Sequence, residues 1–477
     1  MLNKLKMYLT PIRRHRYEDL YKGARMLMLS EIAKVVNGRM LGDDVLVQSV
    51  GTDSRNIVKK QLFIGIKGEN FNGNTYALES IQQGAAAVLV SDENTTARPA
   101  VVVLNTHSSL GKLAKHWRQQ FLLPLVAVTG SNGKTTVKEM IATILAAAKG
   151  VVLATQGNLN NDIGMPLTLL KLRTEHTVAV IEMGMNHEGE IRYLTNLALP
   201  TVAIVNNAGT AHIGELGSRE AIARAKGEIY EGLEANGTAI INVDDDFADY
   251  WKSLNKNKRI ITFGLITPAD VNATYKINGN QTEVNLKTPN GEMEFTLSVL
   301  GVHNIHNALA ATAVAVALGV SNEDIAKGLT VFGAVKGRLN WLQGNNGAVV
   351  IDDTYNANPD SMKAAIDVLA NQKTSQIFVM GDMAELGTGA AQMHADIGLY
   401  AKQKNISHLL TFGDLSEKAA DAFGANAQHF TKVEALIESL KPVMNSNATV
   451  LVKGSRFMQM ERVVNQILKK NDKLERE

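Results

Sequence analysis

Apolar and polar positions divide the chain into short apolar runs and longer segments with helical spacing. The run Leu125-Val126-Ala127-Val128 is typical of a buried strand, and apolar residues then recur at positions 137, 140, 141, 144 and 145. This recurrence has the period of an α-helix and predicts an amphipathic helix directly after the strand. Similar patterns alternate through most of the sequence. The alternation predicts the α/β class, with mostly parallel sheets covered by helices.

Three stretches of this alternation predict three domains. A small N-terminal α/β domain is expected at residues 28–107, a central parallel-sheet domain at 108–333, and a C-terminal, doubly wound, Rossmann-like domain at 334–477. The predicted helices and strands of the first domain lie at 29–36, 61–66 and 86–90. Those of the central domain lie at 108–121, 151–154, 178–182, 202–206 and 238–243. The predicted C-terminal strands lie at 348–351, 376–380, 408–412 and 449–452.

Composition narrows the classes of function. The 477 residues carry a formal charge of +2, but residues 1–26 hold seven Lys or Arg against Glu18 and Asp19, so the remainder carries −3. A mildly acidic body lacks the basic face that nucleic acid requires, so we expect no nucleic-acid partner. The chain has no cysteine. This excludes disulfides and thiol chemistry and fits a reducing, cytoplasmic compartment.

The termini and apolar runs give no sign of membrane insertion. The longest apolar stretch, 308–320, is interrupted by Thr312 and Gly319 and is shorter than the ~18 residues that span a bilayer. For residues 1–27 we expect a disordered extension, a start codon chosen upstream of the true one, or a basic segment that lies on an anionic membrane surface. We expect a monomer.

A phosphate-binding loop joins the strand at 125–128 to the helix that follows. Its sequence is Gly130-Ser131-Asn132-Gly133-Lys134-Thr135-Thr136. Backbone N–H groups, a helix N-terminus, a Lys ammonium and a hydroxyl then surround one anionic space, as a magnesium-bound triphosphate requires. Val128 occupies the place of the first glycine of the general pattern, so the loop is a shortened form. We therefore expect ATP and Mg²⁺ as ligands.

Polar residues also follow the next strands of the central domain. Glu182 ends the run at 178–181 and could bind the Mg²⁺ that Thr135 contacts, or it could be a solvated strand-end carboxylate. His212 lies in the glycine-punctuated loop at 206–214 and is either a ligand of a second metal ion or a surface residue. Because the carboxyl ends of parallel strands share one edge of a sheet, we expect both near the phosphates.

Lys226 is an anomaly in the helical pattern that follows. It falls on the apolar stripe that includes Ile222 and Ile229, where a charged residue is uncommon. Burial would lower the pKa of the ammonium, and a neutral amine reacts with CO₂ to give a carbamate, which is an anionic metal ligand. The alternative is an ammonium that reaches solvent along its aliphatic stem.

Further polar segments follow in the second half of the chain. Asn307 lies at the start of an alanine-rich helix, where its amide could pair with a nucleobase. Segment 352–361 has the composition of a binding loop, and 453–456 combines a cation with a glycine turn, although an ordinary surface turn explains either. Two strands end in Gly-Asp, at 381–382 and 413–414, where such sheets bind ligands.

Taken in order, these motifs resemble the Mur ligase family, whose members use ATP to add amino acids to a UDP-muramoyl peptide. The resemblance covers about residues 28–465 and rests on segments 130–136, 157–166, 182–185, 206–214, 225–226, 303–307, 337–339 and 352–361. Segments 353–359, 381–387 and 453–456 are most similar to the members that add D-alanyl-D-alanine to a UDP-muramoyl tripeptide. Other members more often have Ala-His where this chain has Tyr355-Asn356.

The resemblance implies a role for each motif. Lys134 and Thr135 would serve the phosphates and, with Glu182, the first Mg²⁺, while His212 and carbamylated Lys226 would hold a second. The residues expected to contact ATP outside the phosphate-binding loop are Asn307, Arg338 and Asp353. The residues expected to bind UDP-N-acetylmuramoyl-tripeptide or D-alanyl-D-alanine are Ser54, Arg55, Asn160, Asn161, Tyr355, Asn356, Asn358, Lys453 and Arg456.

The activity implied by the resemblance is an ATP-dependent ligation in peptidoglycan synthesis through an acyl phosphate. The small first domain would hold the UDP-sugar. Alternatives are a ligase for single amino acids, a folylpolyglutamate synthase, or a nucleotide-binding switch. The Asn-Ala-Asn-Pro run at 356–359 argues against the first two, and a switch would not need the set of Glu182, His212 and Lys226.

Overall fold

A computed structural model describes residues 27–69, 71–278 and 281–469, which divide into two compact units. Of the described residues, unit 1 comprises those up to Ala127 together with Gly150–Met183 and Arg192–Thr201, and unit 2 comprises Val128–Lys149, Gly184–Ile191 and those from Val202 onward. The predicted extension at 1–27 lies outside the described residues except for Leu27. The three predicted domain boundaries stay predictions.

The helices and strands are named here in chain order. The first are β1 (Leu27–Met28), α1 (Leu29–Val36), β2 (Arg39–Leu41), β3 (Leu46–Val47), β4 (Ser49–Gly51), β5 (Gln61–Ile64), α2 (Ala77–Gln82), β6 (Ala87–Val90), β7 (Ala100–Val102) and α3 (Thr106–Arg118). Next come β8 (Leu125–Thr129), α4 (Lys134–Lys149), β9 (Val152–Ala154), α5 (Gly164–Leu169), β10 (Val178–Glu182), α6 (Glu190–Ala198), β11 (Val202–Val205), α7 (Ile213–Leu216), α8 (Arg219–Gly227), β12 (Thr238–Asn242), α9 (Ala248–Leu254) and β13 (Arg259–Phe263).

The remaining elements complete the chain. They are β14 (Asn272–Asn278), β15 (Gln281–Thr288), β16 (Gly291–Leu297), α10 (Val302–Ala317), α11 (Asn322–Val331), β17 (Asn340–Gln343), β18 (Val349–Asp353), α12 (Pro359–Ala370), β19 (Ser375–Gly381), α13 (Ala390–Gln403), β20 (His408–Phe412), α14 (Glu417–Phe423), β21 (Ala427–Phe430), α15 (Val433–Leu440), β22 (Ala448–Lys453) and α16 (Glu461–Ile467). The predictions at 29–36, 178–182 and 408–412 are confirmed residue for residue. Within the described residues, no helix is both long and apolar enough to cross a membrane.

Unit 1 contains a five-stranded sheet of order β2-β7-β6-β5-β4. Strands β4 to β7 pair in parallel, and β2 is antiparallel to β7 at the edge. β5 and β6 are buried along their whole length, as expected of parallel strands covered on both faces. Unit 1 also contains the strand order β8-β10-β9, in which β9 and β10 are parallel.

Unit 2 contains the strand order β13-β12-β11-β8 and a separate C-terminal sheet of order β17-β18-β22-β19-β20-β21. In the C-terminal sheet, β18 to β22 pair in parallel and β17 is an antiparallel edge strand. Successive residues alternate between its faces, because Ile351 packs in one buried cluster and Val350 in another. Both faces are therefore covered, and the doubly wound prediction is confirmed.

Strand β18 and the meander β14–β16 differ from the prediction. β18 continues to Asp353, so Asp352 and Asp353 are strand residues rather than the start of a loop. Strands β14, β15 and β16 form an antiparallel sheet that was not predicted. Their signal was present: in β15 the side chains of Val284 and Leu286 are buried and alternate with more exposed neighbours. This period of two indicates a half-covered strand rather than another strand–helix unit.

Candidate active site

The phosphate-binding loop lies between β8 and α4, as predicted. Gly133 has φ +77°, in the left-handed region, and a Cβ there would lie 2.4 Å from the Asn307 Oδ1. Lys134 Nζ donates to the Gly130 carbonyl at 2.6 Å. The hydroxyl of Ser131 is buried and has no hydrogen-bond partner among the described residues. A closely packed loop with a cation and an unsatisfied buried hydroxyl suits a bound phosphate.

A chain of asparagine amides supports this loop from behind. Asn206 Nδ2 donates to the Asn132 carbonyl at 3.0 Å and to Asn307 Oδ1 at 3.1 Å. Asn307 Nδ2 donates in turn to Asn304 Oδ1 at 3.1 Å. Asn307 therefore contributes to the shape of the loop, a role that its sequence position did not reveal. Its contact with adenosine stays a prediction.

Residues of the C-terminal segment reach the phosphate-binding loop within unit 2. Arg338 Nη2 donates to Thr135 Oγ1 at 3.0 Å, and the guanidinium lies 4.3 Å from the centre of the Tyr355 ring. Asn358 caps α12 through Ser361 N and also donates from Nδ2 to Asn132 Oδ1 at 2.8 Å. The structure thus brings Arg338 and Asn358, predicted from two separate motifs, to the place where phosphates would bind.

His212 lies at the N-terminus of the short helix α7, in a left-handed conformation with φ +65°. Its Nδ1 lies 2.7 Å from Glu385 Oε2, although the approach is not aligned as a hydrogen bond. Nearby, Asp360 Oδ2 accepts from Thr210 N at 2.8 Å and from Thr210 Oγ1 at 2.9 Å. His212 holds the pKa of the Glu385 carboxyl below its usual value. Asp360 and Glu385 both lie in motifs quoted above, yet neither was assigned a role.

Lys226 is buried on α8, with a residue exposure of 1%. Burial lowers its pKa well below the usual value, and the nearby Lys134 ammonium lowers it further. The side chain does not reach solvent, so the alternative of a solvated ammonium is excluded. A carbamate at this position would replace the repulsion from Lys134 by attraction.

Glu182 is buried at the end of β10 in unit 1, with a residue exposure of 2%. Its Oε1 accepts from Asn160 Nδ2 at 2.7 Å, and its backbone N donates to Thr155 Oγ1 at 2.9 Å. The neighbouring Asn161 accepts from Gly164 N and so holds the start of α5. Glu182 is therefore an oriented carboxylate rather than a solvated one. The substrate contacts predicted for the two asparagines stay predictions.

The residues predicted to hold the first metal ion are oxygen donors. Among the described residues there is no cluster of three or more His, Asp or Glu side chains that could hold a metal ion. Magnesium usually takes one or two protein oxygens and completes its shell with phosphate and water. A buried carboxylate at Glu182 and the hydroxyl of Thr135 are ligands of this kind. The metal assignments themselves stay predictions.

Two predicted substrate-binding cations already have partners in the C-terminal segment. Lys453 Nζ lies 2.6 Å from Asp353 Oδ2, and it donates to the Asn356 carbonyl at 2.9 Å. Asp353 Oδ1 also accepts from Leu339 N, which fixes the turn next to Arg338. Arg456 is exposed at the surface and pairs with Glu461 at 2.9 Å. Lys453 and Asp353 thus position this loop, and direct ligand contacts by either stay predictions.

Two other predicted ligand positions have structural partners. Asp382, at the first Gly-Asp turn, is buried and accepts from Leu415 N and Ser416 N. It closes the turn before α14, so its carboxylate already has backbone partners. In unit 1, Arg55 pairs with Asp53 at 2.8 Å in an exposed turn that includes Ser54. The UDP-sugar contacts of Ser54 and Arg55 stay predictions.

Comparison with known proteins supports one family throughout the chain. The Mur ligase family catalytic domain matches residues 46–118, the Mur ligase middle domain 128–315, and the Mur ligase glutamate ligase domain 337–456. UDP-N-acetylmuramoyl-tripeptide–D-alanyl-D-alanine ligases from Haemophilus influenzae and Escherichia coli are each 41% identical to the chain. They cover 92% and 91% of it, and 98% and 97% of their own lengths. The chain belongs to the Mur ligase family.

Solved structures agree with this Mur ligase assignment. A crystal structure of MurF from Acinetobacter baumannii has a TM-score of 0.86 and 36% identity, covering 95% of this chain and all of that one. MurF from Thermotoga maritima in complex with ADP has a TM-score of 0.79 and 26% identity, covering 90% and 98%. A Mycobacterium tuberculosis folylpolyglutamate synthase, at 15% identity, shares the fold alone. The predicted α/β fold class of this Mur ligase, with its three-domain architecture, is confirmed.

Proposed function

We propose that this Mur ligase uses ATP to join D-alanyl-D-alanine to UDP-N-acetylmuramoyl-tripeptide, a step of peptidoglycan synthesis. Relatives named for this ligation align with almost the whole chain at 41% identity. The structural observation that carries the proposal is Lys226, a buried amine with a lowered pKa beside the lysine of the phosphate-binding loop. A nucleotide-binding switch has no use for such a group, whereas a carboxylate-activating ligase needs anionic ligands there.

In the first step, an oxygen of the tripeptide carboxylate attacks the γ-phosphorus of ATP. The bond from the γ-phosphorus to the bridging oxygen breaks, so an acyl phosphate forms and ADP leaves. Lys134 and Arg338 would offset the repulsion between the carboxylate and the triphosphate and stabilise charge on the transferred group. The hydrogen bond from Arg338 to Thr135 at the start of α4 supports this role.

Magnesium, when bound, would supply positive charge that neutralises the phosphates. We propose that Thr135 and Glu182 hold one Mg²⁺, and that His212 and the carbamate of Lys226 hold a second. The carbamate would need the unprotonated amine, which burial of Lys226 favours. Each of these residues contributes by binding and orienting, and none takes part covalently.

In the second step, the amine of D-alanyl-D-alanine attacks the acyl carbon after losing a proton, and inorganic phosphate leaves as the amide bond forms. We propose that the Asp353 to Asn358 segment and Lys453 shape the dipeptide-binding place, with Tyr355 as one wall. We propose that Ser54, Arg55, Asn160 and Asn161 serve the UDP-tripeptide, with Asn307 and Asp353 near the nucleotide. We also propose a cytoplasmic location, for which the lack of cysteine is the supporting observation, and a monomer.

The deciding experiment is the mass of the product formed from ATP, a defined UDP-muramoyl tripeptide and D-alanyl-D-alanine. We expect a mass gain equal to the dipeptide less one water, and continuous turnover of ATP to ADP that requires the dipeptide. Glutamate or single amino acids in place of the dipeptide should give no product. Lys134→Ala should abolish ADP release. Wild-type turnover in that variant, or product with glutamate instead, contradicts the proposal.

A further inference from the structure

The loop that carries His212, residues 206–214, is anchored in two halves. In the first half, Asn207 Oδ1 accepts from Asn132 N at 2.8 Å, and Ala208 N donates to Asp245 Oδ2 at 2.8 Å. Both partners lie in the segment predicted as the central domain. This half is therefore fixed to the phosphate-binding loop and to its own sheet.

The second half, residues 209–214, is held by the C-terminal segment instead. Its hydrogen bonds beyond its own helical turn go from the backbone and hydroxyl of Thr210 to Asp360, and from Gly214 N to the Glu385 carbonyl at 2.9 Å. The approach is close: a Cβ on Gly214 would lie 2.5 Å from Gly387 N. His212 lies between these two attachments. Its position thus depends on residues that come from the other segment.

The turn that presents Glu385 is itself rigid. Met383 N donates to His394 Nε2 at 2.9 Å, and Ala384 N donates to Ser455 Oγ at 2.8 Å. Glu385 has φ +63°, a conformation that its neighbours must impose. The imidazole of His394 is buried, and burial lowers its pKa, so it stays a neutral acceptor. Glu385 therefore approaches the loop from a fixed support.

We propose that Asp360 and Glu385 are positioning residues that clamp the His212 half of the loop from the C-terminal segment. Asp360 fixes the backbone before His212. Glu385 fixes the backbone after it, and the charge of its carboxylate, 2.7 Å from Nδ1, favours the tautomer that carries the proton on Nδ1 and leaves Nε2 unprotonated. The effect on catalysis rests on the proposed function, since it requires that His212 take part in the ligation. The positioning itself can be measured without turnover.

Hydrogen exchange of the peptide 207–216 tests the clamp at Asp360. In Asp360→Ala we expect exchange there to rise on the order of tenfold, because two hydrogen bonds to one carboxylate are lost. Asp360→Asn keeps an acceptor oxygen and should rescue most of the protection. Thr210→Val removes the hydroxyl partner from the other side and should give a smaller rise. Glu417→Gln, at the first turn of α14, is the matched control and should leave 207–216 unchanged.

The same variants separate positioning from a general loss of structure. If Asp360 merely stabilises α12, exchange will rise in 359–370 while 207–216 stays protected, and the proposal is overturned. In turnover, Asp360→Ala should lower kcat with little change in the KM for ATP, and Asp360→Ala combined with Thr210→Val should cost no more than Asp360→Ala alone. Additive losses contradict the clamp. If the wild type forms no ligated product, the proposed function fails, whereas the exchange result still decides the positioning.

The role of the Glu385 carboxylate is tested by the tautomer of the His212 ring. Glu385→Ala keeps the backbone contact to Gly214, so exchange of 207–216 should change little. The ¹⁵N signals of His212 are those absent from His212→Gln. They should shift towards the other tautomer in Glu385→Ala and also in Glu385→Gln, because both variants lack the carboxylate charge. Unchanged ring signals in Glu385→Ala contradict the role of the carboxylate.

Discussion

Arg338 gives the sharpest quantitative prediction for the proposed reaction. Its guanidinium makes two contacts: it donates a hydrogen bond to Thr135 Oγ1 at 3.0 Å, and it lies 4.3 Å from the centre of the Tyr355 ring. Arg338→Lys keeps the charge but loses the planar fork and the stacked face. A hydrogen bond from a charged group contributes about 1.5–3 kcal/mol. We therefore expect kcat/KM for ATP to fall about 10- to 150-fold.

The stacking contribution is measured by a second substitution. Tyr355→Leu removes the ring face and should cost about 0.5–1 kcal/mol, or about two- to fivefold in kcat/KM, while Tyr355→Phe keeps the face and should cost less. In the double variant of Arg338→Lys with Tyr355→Leu, the two losses should not add, because the lysine no longer stacks. The assay is ADP release at varied ATP, with the other substrates saturating.

A matched control comes from elsewhere in the C-terminal segment. The guanidinium of Arg462 lies 5.9 Å from the centre of the Phe412 ring, and Arg462→Lys makes the same chemical change there. Its kcat/KM should stay within twofold of wild type. If Arg338→Lys also stays within twofold, or if the double variant shows strictly additive losses, the reasoning from the contact with Thr135 and from stacking is refuted.

Three further predictions concern other residues. Lys226→Met should unfold at no lower temperature than wild type, because a methionine fills similar space without a buried amine, yet its ADP release should vanish. A large drop in its melting temperature would contradict the prediction. Burial lowers the pKa of His303 from 6.5 to about 4, so between these values the unfolded state binds more protons and the unfolding free energy should fall as pH drops from 6.5 to 4. His303→Gln should flatten this pH dependence in urea titrations at pH 5 and 7.5, and an unchanged pH dependence would refute the prediction. Gly214→Ala places a Cβ against Gly387 N, so its turnover should fall at least about tenfold. Gly217→Ala, in the same segment, is the control for backbone strain, and wild-type turnover in Gly214→Ala would show that the contact is dispensable.

Local pattern was sufficient for the parts of the site that lie on one strand–turn–helix unit. The phosphate-binding loop, the carboxylate at the end of β10 and the lysine on the buried stripe of α8 each follow from spacing within about twenty residues. The period of two in β15 is equally local, but the strand–helix alternation on either side of it predicts a different arrangement. Most of the other strand bounds shifted by one or two residues, since apolar runs do not mark where pairing stops.

Pairings between distant segments could not be predicted in this way. Asp360 and Thr210 are 150 residues apart, and Arg338 and Thr135 are 203 residues apart. Nothing in the periodicity of either segment specifies its partner, because such contacts depend on how one sheet packs on another. For the same reason the sequence did not predict the partner of Asp382, whose carboxylate accepts hydrogen bonds from the turn before α14.

The asparagine support behind the phosphate-binding loop also has a consequence for how the chain is made on the ribosome. Asn307 follows Asn206, its hydrogen-bond partner, by 101 residues. At usual rates of synthesis these residues take about 5 to 20 s to appear. During that interval the loop around Gly133 has been translated without the amide that packs against it. A nascent chain should therefore acquire tight nucleotide binding late, once the start of α10 has emerged.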